Sequence, residues 1–127
     1  MILIKQKNGI DCGLAVIAMC GNSSYEQAAD VDPNPDACQG LSPDDLKWGL
    51  IGLTGQDWII RRASLILRDA RLKPHPQALL IRRDAKTFGH WVASDGKNIF
   101  DPERENPIPL TEYDRQDWSL IRIIAPR

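Results

Sequence analysis

Cysteine is scarce in this 127-residue chain, with three residues at positions 12, 20 and 38. Cys12, Cys20 and Cys38 cannot all pair within one chain, so at least one thiol is expected to be free, and neither a disulfide scaffold nor a Cys-rich zinc site is expected. Charge excess is lacking too: 16 Lys and Arg stand against 17 Asp and Glu, a net charge of −1. That balance disfavours electrostatic capture of nucleic acid or of an anionic membrane. The longest apolar run, Leu14 to Cys20, falls far short of the roughly 18 residues that cross a bilayer. The N-terminus, Met1-Ile2-Leu3-Ile4-Lys5-Gln6, lacks the features of a secretory signal, which points to the cytoplasm. Repeats, linkers and low-complexity tracts are absent. What is present, 43% hydrophobic and 26% charged residues, suits one globular domain spanning 1–127.

The apolar segment Leu14 to Cys20 stops at Gly21-Asn22, and Asp11 offers an N-cap, which predicts a buried helix from Cys12 to Cys20. Ser23-Ser24-Tyr25-Glu26 fits a capping box ahead of a short second helix. Pro33, Pro35 and Gly40 make Val31 to Gly40 a loop. A third helix starts at Ser42 with Pro43, Asp44 and Asp45 in its first turn, carries Leu46, Leu50 and Leu53 on one face, and ends at Gly55. Beyond it, Trp58-Ile59-Ile60, Ala78 to Ile81 and Trp118 to Ile124 read as strands, while Ser64 to Leu72 fits helix or strand. His90 to Ser94 and Lys97 to Asp101 flank Asp95-Gly96, a strong hairpin signal. Helices followed by an antiparallel sheet predict the α+β class.

Four residues stand out chemically. Cys12 sits at the head of the first helix, where free N–H groups and the helix dipole favour a thiolate, and Gly13 would leave room for a substrate backbone. His90 and Asp101 occupy opposite arms of the hairpin at its open end, so a carboxylate could orient an imidazole base. Gln6 could return its side-chain amide to the head of the helix and form an oxyanion hole with the Cys12 N–H. Judged singly, each has a plainer reading: a core thiol, a cross-strand pair, a surface glutamine. His75, between two prolines, is simplest as a loop residue, and core packing is the plainer role for Trp48 and Trp91.

The stretch Gln6-Lys7-Asn8-Gly9-Ile10-Asp11-Cys12-Gly13-Leu14-Ala15-Val16-Ile17-Ala18-Met19, then Gly89-His90-Trp91-Val92 and Phe100-Asp101-Pro102, resembles the bacteriocin-processing, double-glycine leader cysteine peptidases. The resemblance implies a papain-like fold, N-terminal helices packed on a C-terminal antiparallel sheet. It also implies Cys12 as nucleophile, His90 as general base, Asp101 as its orienter and Gln6 as oxyanion donor. Gln6 to Gly13 is also similar to the cysteine signature of SUMO-deconjugating proteases, whose His and Asp precede the cysteine. Both histidines here, His75 and His90, follow it.

Many members of the leader-peptidase family form the front end of an exporter. This chain has no membrane span and no Gly-rich P-loop, so a stand-alone bacterial or bacteriophage domain is expected. The expected activity is thiol hydrolysis of a peptide or isopeptide bond in a peptide or protein substrate, with no cofactor and no metal. The alternatives are a non-catalytic peptide-binding or inhibitory module, and an amidase or acyltransferase using the same residues.

Overall fold

The computed structural model describes residues 1–9, 11–35, 40–85 and 88–127. Its elements follow the α+β order: helices α1 (Cys12–Cys20), α2 (Tyr25–Asp30) and α3 (Pro43–Thr54) precede strands β1 (Trp58–Ile66), β2 (Gln77–Arg82), β3 (His90–Ser94), β4 (Asn98–Phe100), β5 (Ile108–Pro109) and β6 (Ser119–Pro126). The strands form one six-stranded sheet in the order β1-β6-β2-β3-β4-β5, antiparallel at every junction. No helix among the described residues is long and apolar enough to cross a membrane.

Helix α1 is apolar all round because it is enclosed all round. It packs on β3 and β2 and against α2 and α3, and of its nine residues only Leu14 escapes full burial. Burying side chains such as Val16, Ile17 and Met19 contributes about 1.5–3 kcal/mol apiece. Helix α3 begins in a capping box between Ser42 and Asp45, with Pro43 in its first turn, and ends at Gly55. The capping box of α2 lies one residue later than the sequence suggests. Ser24, not Ser23, accepts from the Gln27 N–H, and the Gln27 side chain returns the bond to Ser24 N–H. Trp48 departs from its expected core role, being 58% exposed.

Alternation along the strands splits the core between the two faces of the sheet. Ala78, Trp91, Ala93 and Ile124 join the cluster beneath the helices. Leu79, Ile81, Val92, Ile99 and Leu120 join a second cluster, closed by Leu67 and Tyr113. Coverage on both faces explains why Ala78 to Ile81 reads as an unbroken apolar run.

One segment left open by the sequence is resolved, and two boundaries differ from expectation. Ser64 to Leu72 divides, with strand through Ile66 and then a single 3₁₀ turn at Leu67–Asp69. The hairpin loop is wider than a two-residue turn: Ser94 pairs with Ile99, and Asp95 Oδ1 accepts from the N–H groups of Lys97 and Asn98. Gly96 sits there at φ 100° with the Lys73 carbonyl against it, a place that no side chain can take. The last strand runs from Ser119 to Pro126. Within the predicted loop Val31 to Gly40, Cys38 lies outside the described residues.

Candidate active site

Three elements converge on one cleft: the head of α1, the first residue of β3 and the turn that follows β4. The cleft measures about 670 Å³ and is lined by Cys12, His90, Trp91, Leu80, Arg82 and Arg115, among others.

Hairpin register sets the first pairing. Ala93 stands opposite Phe100 and Ser94 opposite Ile99, so extending the ladder places Asp101 opposite Val92, diagonal to His90 on the same side. Diagonal partners in antiparallel sheet lie within reach of long side chains. His90 Nε2 meets Asp101 Oδ1 at 2.8 Å, with both residues buried. The other ring nitrogen, Nδ1, faces away from Asp101 and has Glu103 Oε1 at 3.7 Å.

Cys12 completes the group. Burial works against a charged His90 ring, but the Asp101 carboxylate and the nearby Cys12 side chain outweigh it and raise the imidazole from 6.5 to about 9. Burial alone would raise the Asp101 carboxyl, yet its bonds to His90, Tyr113 and the Glu103 N–H bring it down to about 2. Protons in such a cluster belong to the group as much as to any member, and both directions put the charge on a His90–Asp101 ion pair.

Around Asp101 stand residues that local sequence patterns did not signal. Tyr113 Oη–H donates to Oδ2 at 2.6 Å, the Glu103 N–H donates to Oδ1 at 2.9 Å, and Arg115 approaches Oδ2 at 3.4 Å. Arg115 also donates to Glu103 Oε2 at 2.8 Å. His90, Asp101 and Glu103 offer ligand atoms within 4.8 Å of one another, as a metal would require. Here the Arg115 guanidinium already sits between the two carboxylates as their cation.

Gln6 lies near this group without facing it. Its backbone N–H donates to the Pro102 carbonyl at 3.2 Å, which holds the N-terminal segment beside Asp101. Its side-chain Nε2 donates to the Asn8 carbonyl at 2.7 Å, leaving Oε1 buried with no hydrogen-bond partner. The structure therefore brings Cys12, His90 and Asp101 together and leaves the Gln6 amide turned along its own loop. His75 stands apart, with Nδ1 3.2 Å from the Pro76 carbonyl.

Asp11 behaves differently from the expected N-cap. Its side chain bonds no N–H of α1 and turns back to accept from Lys7 N–H, Asn8 N–H and the Tyr25 hydroxyl, at 2.9, 3.0 and 2.6 Å. The loop carrying Gln6 is thus tied to the residue before the thiol, and the helix's first N–H groups are left uncapped by Asp11. Gly13 is occupied differently too. A Cβ there would meet the Leu41 side chain at 3.1 Å, so the space admits Leu41 rather than a substrate backbone. Leu41 in turn accepts from Trp91 Nε1 at 2.9 Å through its carbonyl and fixes one cleft wall.

No known family model and no curated protein matches the sequence. Among solved structures, the fold is similar to the peptidase domain of Streptococcus ComA, a bifunctional ABC transporter involved in a quorum-sensing pathway. The TM-score is 0.67 with 19% sequence identity, and 98% of each chain is covered. At that identity the likeness establishes a shared papain-like fold.

Proposed function

We propose that the chain is a cysteine peptidase in which Cys12 attacks the carbonyl of a peptide or isopeptide bond. The observation that carries this reading is the His90 ring, bonded at Nε2 by Asp101 and lining one cleft with the Cys12 thiol. Asp101 fixes the tautomer and orientation of the ring and stabilises its charged form, while Nδ1 takes the thiol proton. Since the ring keeps a proton up to about pH 9, it holds the proton that the departing amine needs when the tetrahedral intermediate collapses. Water, deprotonated by the same nitrogen, then releases the acyl group from Cys12.

The developing oxyanion meets the uncapped N–H groups at the head of α1. Gln6 adds a second donor once its Nε2 leaves the Asn8 carbonyl, a bond whose net worth is about 1 kcal/mol. The unpartnered Oε1 lowers the cost of that rotation, because the present rotamer already leaves a buried acceptor unmet. The resemblance to double-glycine leader peptidases and the fold shared with the ComA peptidase domain both support a peptide or protein substrate. A cytoplasmic location belongs to this reading, where reducing conditions keep Cys12 a thiol.

Turnover tests it. Incubate the protein with a mixture of synthetic peptides, including ones with Gly-Gly before the scissile bond, and identify products by mass spectrometry. Cleavage that vanishes in Cys12→Ala and His90→Ala is expected. Cleavage that persists in Cys12→Ala would refute the assignment.

A further inference from the structure

The chain's near-neutral charge hides a strong local imbalance. From Trp58 to Arg83 there are seven Lys and Arg residues and one acidic residue, Asp69. Strand pairing brings three arginines, two from this segment, to one side of the sheet: Arg62 and Arg122 in one row and Arg82 at the cleft. Trp91, Leu80, Arg122 and Arg62 stand opposite one another across β3, β2, β6 and β1. The parallel row two residues along, Ala93, Ala78, Ile124 and Ile60, belongs to the cluster beneath the helices, so the Trp91 row shares that face. Arg62 is exposed and Arg122 half-buried, which places them beyond the cover of the helical layer. Arg82, two residues past Leu80 on the same side of β2, lines the cleft with Cys12 and His90.

These arginines lack the carboxylate partners that five others have. Arg68, Arg83 and Arg127 each sit beside an aspartate, and Arg104 and Arg115 join the Asp101 network. Among the described residues, Arg62, Arg82 and Arg122 pair with no carboxylate; Arg122 donates only to the neighbouring Ile121 carbonyl. Arg62 and Arg122 are moreover directly opposed across the ladder, where like charges repel and destabilise the pair. Glu103, the carboxylate that lines the cleft, is already neutralised by Arg115.

We infer that Arg82 together with the Arg122–Arg62 pair binds an acidic segment of the peptide that occupies the cleft. The occupant's identity as substrate rests on the peptidase reading; the binding of an acidic peptide does not. An anion laid along the row would relieve the opposed arginine pair and form charge-assisted hydrogen bonds with guanidinium groups. Geometry sets the spacing. Three strand separations of about 4.8 Å put Arg62 about 14 Å from Trp91, or about four residues of extended chain. Acidic side chains are therefore expected within about four residues of the point where the peptide passes Trp91.

Binding can be measured without turnover. Titrate the Cys12→Ala protein, by fluorescence anisotropy, into two labelled peptides identical except that glutamates in one are glutamines in the other. The glutamate peptide should bind at least ~10-fold more tightly at low salt. That advantage should collapse in Arg62→Ala, Arg82→Ala and Arg122→Ala proteins and shrink as salt rises. Equal binding of both peptides, or binding of neither, overturns the inference. A single-stranded oligonucleotide of similar length that binds as tightly through the same arginines would overturn the peptide assignment. Acidic-peptide binding without any turnover would leave the row intact and remove the peptidase reading; turnover with no acidic preference would do the reverse.

Discussion

Tyr113 donates its hydroxyl hydrogen to Asp101 Oδ2 at 2.6 Å, on the opposite oxygen from the one that meets His90. Both residues are essentially inaccessible to solvent, so the bond substitutes for the hydration that a buried carboxylate loses. Replacing Tyr113 with Phe removes a donor to a charged group and should cost about 1.5–3 kcal/mol of stability. It should also lower turnover, because Asp101 would hold the His90 ring less firmly. Urea unfolding and turnover in Tyr113→Phe check both; an unchanged unfolding midpoint would show that the bond contributes nothing.

The His90–Asp101 pair gives stability a defined pH window. His90 is raised from 6.5 to about 9 in the folded protein, so its contribution is fully present below 6.5 and is lost as pH rises through about 9. Asp101 is lowered from 3.8 to about 2, so its contribution is present above 3.8 and is lost as pH falls through about 2. Activity should likewise decline as His90 deprotonates near pH 9. In Asp101→Asn the ring loses its main charge partner, burial then dominates, and the His90 titration followed by NMR should move well down. A His90 titration unchanged in that variant would contradict the ion pair.

Gly13 leaves a side chain little room. A Cβ at that position meets Leu41 at 3.1 Å, and overpacking of this kind costs about 1–3 kcal/mol. Gly13→Ala should destabilise the fold and shift Leu41, whose carbonyl holds Trp91. Thermal unfolding together with Trp fluorescence reads both effects.

Asp11 should matter to turnover more than to thiol reactivity. In Asp11→Ala the Lys7 and Asn8 N–H groups and the Tyr25 hydroxyl lose their shared acceptor, which frees the Gln6 loop. Turnover should fall at least ~10-fold while Cys12 alkylation continues, since the His90–Asp101 pair is untouched. Equal losses in turnover and alkylation would instead point to a collapsed helix head.

Much of this arrangement was legible in the sequence because it depends on local pattern. Helix α1 followed from an apolar run ending at Gly21-Asn22, α3 from Ser42-Pro43 and its leucine spacing, and the His90–Asp101 proximity from the strands around Asp95-Gly96. What escaped depends on contacts distant in sequence or on competing bonds. Tyr113 and Arg115 reach Asp101 from 12 and 14 residues downstream, with no periodicity to announce them. The Asp95 side chain bonds the N–H groups of Lys97 and Asn98 and delays the start of β4 to Asn98. Asp11, an ordinary N-cap by position, finds better donors in the Lys7–Asn8 turn than in its own helix. The brief strand Ile108–Pro109 contains a proline and is set only by its pairing with β4.

The central claim, that His90 makes Cys12 a nucleophile, is tested most directly by the rate of iodoacetamide alkylation at about pH 6, mapped residue by residue. Cys20 is an internal reference: it is buried, and burial pushes its thiol far up. Cys12 should be alkylated well ahead of Cys20, at a rate that falls at least ~10-fold in His90→Ala. Slow alkylation of Cys12 and Cys20 alike, indifferent to His90→Ala, would contradict the account.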